Sequence, residues 1–181
     1  MKALRAFSLW TTFLAAAAAV NAAPTTLETL MRTHTTFDLT INAPYAEAAP
    51  LFGPEGERAW AGPDWNPVFL HPQPAHDEEG AVFTIRHGVH EAVWVNTAFD
   101  LAGHHFQYVY FLPGLLVTTI DVRFTPADPI THVHVTYTRT ALTSDGNQHV
   151  EALTAVDRHA GVEWQSAIDT YFAHRAAHAA Q

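Results

Sequence analysis

The chain of 181 residues carries 13 histidines, the side chain best suited to metal ligation and to proton transfer near neutral pH. His132 and His134 stand two apart in ITHVHVTYTRTAL. On a strand that spacing puts both on one face, where they could supply two metal ligands. Val133, Val135 and Tyr137 alternate with them and are the better core candidates, so the two histidines are expected to face outward. A His-x-His pair without a third ligand is a weak metal signal, and no metal site is assigned. His104-His105 and His87 to His90 fall at turns and are expected to be exposed. Nucleophilic chemistry has little to work with. Past the leader described below, the serines are Ser144 and Ser166, and neither sits in a Gly-x-Ser-x-Gly elbow. The sequence has no cysteine, and Lys2 is its one lysine, so thiolate and Schiff-base chemistry are excluded from the mature chain. No phosphate loop or dinucleotide fingerprint is present, and no cofactor is implied.

Charged and aromatic side chains give a second set. Asp77-Glu78-Glu79 reads as a solvated turn before a strand. Asp100 and Asp121 lie at strand positions without an evident partner. Arg139 shares the Tyr137 face and either anchors an acidic head group inside or stands exposed or salt-bridged. Phe106, Tyr108 and Tyr110 share one face of a strand, with Phe83 and Trp94 on neighbouring strands. Trp164 and Tyr171 project from a helix. With Trp60, Tyr137 and Arg139 these form the candidate ligand-binding set, read as ordinary core or as a cavity wall in which tyrosine hydroxyls supply polar contacts. Trp60 and Trp65 stand in LFGPEGERAWAGPDWNP, residues 51–67, whose proline and glycine residues fix an irregular path. The pair is read as a structural plug or a gate touching ligand, with Glu57 and Arg58 as a local ion pair.

These residues need elements to position them. Residues 33–42 alternate apolar and polar and predict a first strand with Phe37, Leu39 and Ile41 on one face. Residues 45–52 suit a short helix broken by Pro50 and Gly53. From Val68 the pattern becomes β, with strands over 80–87, 91–100, 104–112, 115–124 and 130–142. Tight turns at His87-Gly88, Ala102-Gly103, Pro113-Gly114 and Pro126 to Pro129 make them an antiparallel meander. Ser144 to Asn147 closes the β run. Residues 148–178 then predict one long helix with Leu153, Val156, Ala160, Trp164, Ala167, Ile168 and Tyr171 in a stripe. Gly161, inside it, is either tolerated packing or a gap beside the helix. The fold class is α+β: a curved antiparallel sheet of about seven strands around a long C-terminal helix, with short helices after the first strand. A single helix gripped by a curled sheet leaves a pocket between them.

Residues 1–22 read as a signal peptide, with Lys2 and Arg5 ahead of an apolar run and small residues for cleavage near Ala22. That run is short of the roughly 20 residues needed to span a bilayer, although retention as an anchor is the alternative. Residues 23–181 form a single domain. The expected location is periplasmic or secreted, with no stable membrane span after cleavage. Losing Lys2 and Arg5 takes the net charge from −9 to −11 and leaves seven cations, all arginine. Such a surface repels phosphate backbones, so nucleic acid is not an expected partner.

The order of elements and several local motifs resemble the START-like (SRPBCC) superfamily, in particular its polyketide cyclase/dehydrase-like and uncharacterised bacterial members. The motifs are Pro44, Pro54-Glu-Gly-Glu-Arg-Ala-Trp60, Trp65-Asn-Pro67, Trp94 and Thr136-Tyr-Thr-Arg-Thr-Ala-Leu142. The resemblance covers residues 33–175 and implies a helix-grip fold with a hydrophobic cavity. It implies no particular reaction, because fold does not select chemistry. The first reading is a non-enzymatic domain that binds a hydrophobic or aromatic small molecule between sheet and C-terminal helix. The second is a cyclase- or dehydratase-type enzyme using cavity Tyr, His or Asp. The third is metal handling through His132, His134 and a further histidine.

Overall fold

The computed structural model describes residues 29–179, so the segment read as a signal peptide lies outside the described residues. The chain builds β1 (Arg32–Ile41), α1 (Tyr45–Ala48), a 3₁₀ turn (Ala49–Phe52) and α2 (Pro54–Glu57). There follow β2 (Val68–His71), β3 (Val82–His87), β4 (His90–Asp100), β5 (His105–Leu112), β6 (Leu116–Ala127), β7 (Ile130–Ala141) and α3 (Ser144–Ala179). The seven strands form one sheet in the order β1-β7-β6-β5-β4-β3-β2, every pairing antiparallel. This is the helix-grip architecture. Residues β2 to β7 meander, and β1 returns beside β7 along its whole length, from Arg32 opposite Thr140 to Ile41 opposite Thr131.

Period-two patterning decides which face is covered. In β5 Phe106, Tyr108, Tyr110 and Leu112 are buried, as are Val133, Val135, Tyr137 and Arg139 in β7. His132 and His134 alternate with them and are exposed. The covered face packs against α3, which lies over β1, β7 and β6. β6 runs on to Ala127, with Pro126 opposite Thr131 in the ladder, so the turn expected from Pro126 tightens to Asp128-Pro129.

α3 starts four residues earlier than the periodicity predicts. Thr143 explains this: its Oγ1 accepts the Gly146 N–H at 3.1 Å, an N-cap bond, and Asp145 sits in the first turn. The SDGN segment is therefore the opening turn of the helix. Gly146 also has to be glycine, since a Cβ there would lie 2.0 Å from the Leu115 carbonyl oxygen. The buried stripe is narrower than expected. Val150, Ala160 and Ile168 are buried, while Val156 is 58% exposed and the inward position next to it belongs to Asp157. At Gly161 the side-chain direction is filled by Phe37, although both residues also line an open groove beside α3. A Cβ at that position would lie 3.0 Å from Phe37 Cβ, so β1 and α3 approach as closely as a missing side chain allows.

Candidate functional site

The segment after β1 is held by aromatic donors that reach its carbonyl groups. Tyr108 donates to the Phe52 carbonyl, Trp60 Nε1 to Leu51 at 2.7 Å and Trp65 Nε1 to Pro54 at 2.9 Å. Asp77 does the opposite duty: its carboxylate accepts the Glu55 N–H at 2.8 Å and the Gly56 N–H at 3.2 Å. The acidic run at 77–79 is thus no simple solvated turn, because its first member fastens α2. Arg58 turns outward to Glu55 at 2.9 Å, Asn66 at 2.9 Å and the Pro67 carbonyl. That leaves Glu57 without the Arg58 partner expected from adjacency, and Glu57 points inward, 6% exposed.

Glu57 meets an enclosed cavity of about 40 Å³ between sheet and helix. Trp94 of β4, Tyr108 of β5, Ile120 of β6 and Tyr137 of β7 form its floor, Trp164 of α3 its roof and Trp65 its loop side. Among the described residues no donor hydrogen-bonds the Glu57 carboxyl. Burial, reinforced by the nearby charge of Asp77, pushes its pKa well above the usual carboxylate range. Burial therefore disfavours the ionised form of this carboxyl. Burial likewise raises the Tyr108 hydroxyl, with Glu57 and Asp77 adding to it. For Tyr137 burial is again the main cause, partly offset by Arg139. The cavity thus combines three indoles, two phenols and one buried acid.

About two helical turns and two strand residues away the interior changes character. Arg139, 4% exposed, meets Asp157 through two bonds of 2.7 and 2.6 Å. It also donates to Thr118 Oγ1 at 3.0 Å and to the Tyr110 hydroxyl, and its guanidinium lies 4.9 Å from the Tyr137 ring centre. Burial opposes the Arg139 charge, but the Asp157 bonds outweigh it and push its pKa up. Beyond this cluster, toward the helix start, lies a largely apolar pocket of about 260 Å³ between α3 and the β4–β5 side, where Tyr110, Leu112 and Leu153 meet His90 and His149. The order along β5 (Leu112, Tyr110, Tyr108) and along α3 (Leu153, Asp157, Trp164) puts the ion pair between the pocket and the cavity.

Of the ten residues singled out from sequence, the structure gathers Trp94, Tyr108, Tyr137 and Trp164 at the cavity. Tyr110 stacks on Trp94 at 4.3 Å and faces the apolar pocket. Arg139 is spent on Asp157, so the head-group role is filled from within the chain. Phe83 stacks between Phe69 and Trp94, and Phe106 against Phe99. Trp60 packs edge-on to Trp164 at 5.2 Å and, with Tyr171, borders an open groove beside α3. Glu57 and Trp65 were missing from that set. The signal for Glu57 lay in Arg58, which has three better partners nearby in sequence.

Two expectations about the outer face change. His104 is half-buried on the Tyr45 ring at 4.4 Å, and His105 is half-buried with Nε2 2.6 Å from Asp121. Asp121 has partners after all, on the face away from α3. Its burial opposes ionisation, but hydrogen bonds from His105 and Gln107 and the charge of Arg123 hold its pKa below the usual value. Among the described residues no three His, Asp or Glu side chains are grouped to hold a metal ion.

The fold has solved counterparts. A norcoclaurine synthase point mutant from Thalictrum flavum, in complex with a transition state analogue, superposes with a TM-score of 0.59 at 10% identity over 81% of this chain and 98% of that one. An uncharacterised protein from Rhizobium leguminosarum gives 0.53 at 12% identity, covering 78% and 99%. The protein Ara h 8.0201 gives 0.50 at 14%, covering 78% and 97%. At such identities the likeness is one of fold: the chain shares the helix-grip fold of these structures. No family model matches the sequence, and neither does any curated protein.

Proposed function

We propose that this chain is exported and holds a hydrophobic or aromatic small molecule between α3 and the sheet, without transforming it. The observation that carries the binding reading is the interior left unfilled by the chain: an aromatic cavity at Glu57 and an apolar pocket behind Tyr110, in the grip of one helix. Native cores close such spaces at a gain in stability. Leaving them lined with tyrosine and tryptophan suits a ligand that takes apolar contact and a few polar ones. At about 40 Å³ the cavity is far below the roughly 300 Å³ and more of typical ligand sites. A ligand therefore enlarges it, and Trp65 is the wall carried on a loop. Export rests on the pattern of residues 1–22, and no helix among the described residues is long and apolar enough to cross a membrane.

Titration with a neutral solvatochromic dye, with native mass spectrometry of the purified protein, tests binding. A saturable site or a co-purified molecule supports it; neither would sink it. Intact mass of the secreted or periplasmic fraction tests export, the expected product lacking about residues 1–22. Glu57 also favours a second reading, an enzyme of the dehydratase kind in which the acid protonates a hydroxyl that leaves as water and its carboxylate takes the α-proton as the C=C bond forms. Incubation with β-hydroxyketones checks it through absorbance of the conjugated product. No acceleration over buffer would set this reading aside.

A further inference from the structure

The Glu57 cavity also specifies the chemistry of its occupant, an inference that rests on reading the grip interior as a ligand site. A buried acid needs a donor or a counter-ion. Asp157 has Arg139. Glu57 has neither: the cavity is lined by no Arg or His, the described residues contain no Lys, and Arg58 faces outward. The charged group acting on Glu57 is Asp77, of its own sign. The remaining walls are Ile120 and aromatic rings, whose π systems attract cations and not anions. An anionic head group would meet Glu57 and the ring faces, both unfavourable, with the like charge of Asp77 acting on the same carboxyl. A purely apolar group would leave the carboxyl without a partner. A cation satisfies acid and rings together.

We infer that the ligand enters this cavity amine first, its small ammonium head pairing with Glu57 among Trp65, Trp94, Trp164, Tyr108 and Tyr137. Hydrogen bonding narrows the class. A primary ammonium donates to Glu57, whereas a trimethylated head has no N–H to donate. The rest of the molecule leaves past Trp65, a half-buried ring carried on a loop. Burial raises the Glu57 pKa, so pairing with an arriving ammonium favours its ionisation and releases up to one proton to solvent.

The test uses four phenyl probes of similar length on the purified protein: 2-phenylethylamine, its N-trimethyl derivative, 3-phenylpropanoate and propylbenzene. Isothermal titration near neutral pH, in two buffers of different ionisation enthalpy, gives affinity and proton count together. The primary amine is expected to bind at least tenfold tighter than the other three and to release up to one proton. Glu57→Gln, isosteric with the protonated acid, is expected to cost at least tenfold in amine affinity and to abolish the proton release. Dye binding without preference for the amine would overturn the inference and leave the binding reading intact. An amine site that survives in Glu57→Gln would overturn it too. If neither dye nor amine saturates, both readings fall. Should Glu57→Gln misfold, the proton count and probe ranking on the unaltered protein decide alone.

Discussion

The grip contains two buried acids that the chain treats in opposite ways. Asp157 projects from α3 onto Arg139, and every part of the guanidinium finds a partner in Asp157, Thr118 or Tyr110. Glu57 projects from α2 into a cavity and finds none among the described residues. Full satisfaction marks a polar group that specifies the fold, since a complete buried network tolerates one arrangement. A buried acid with no counter-ion beside it is retained at a cost. The contrast separates the structural end of the interior from the end open to chemistry, although burial alone ranks Arg139, Asp157 and Glu57 alike.

The largest effect should come from breaking the satisfied end. Asp157→Ala leaves Arg139 buried and uncompensated and should cost about 3–5 kcal/mol in chemical denaturation. Replacing both partners with apolar residues should cost less than either single change, and a double-mutant cycle that is merely additive would show the pair uncoupled. The two tryptophans of the 51–67 stretch come next. Trp60→Ala removes a buried ring and the donor to Leu51, an expected loss of about 3 kcal/mol or more. Trp65→Ala, at the cavity, should cost about 1–2 kcal/mol while changing dye affinity. Equal stability losses with unchanged dye binding would make both tryptophans plugs.

Glu57 should then reveal itself through pH. Its folded pKa is raised, so below the unfolded value near 4.5 both states hold the proton and no penalty exists. As pH rises past that value the unfolded chain ionises and the folded one does not. Stability should fall from there until the folded pKa is reached, by up to about 1.4 kcal/mol per pH unit. In Glu57→Gln this contribution should vanish, and an identical pH profile for the variant would show Glu57 solvated. The smallest effect belongs to the outer face. His134→Ala removes an exposed contact to Asp38 and should change stability by no more than about 0.5 kcal/mol.

Most of the sheet was legible because each inward residue repeats every second position, and β5 and β7 keep that rule throughout. The long helix was legible from spacing, but its start was not. Ser144 to Asn147 has turn composition, and only the Thr143 cap and the approach of Leu115 show that it is helical. The Arg139 face was readable, whereas its partner was hidden in plain spacing: Asp157 sits four residues after Leu153 and three before Ala160, a polar residue inside the apolar stripe. Glu57 was readable only through Arg58. In the short turns of residues 45–57 no period tells inward from outward, and the direction of Glu57 depends on Arg58 being claimed by Glu55, Asn66 and Pro67.

One contact has a mechanical consequence. With Phe37 seated where Gly161 has no side chain, α3 is keyed to β1 like a shaft to its hub. The key prevents the helix from sliding or turning on its axis, and Trp164, three residues on, is fixed with it. Any breathing that admits a guest must then come from the opposite rim, where β2 is four residues long and its ladder to β3 slips between Phe69 and His71. Stiffness is thus concentrated along one border of the sheet and compliance along the other.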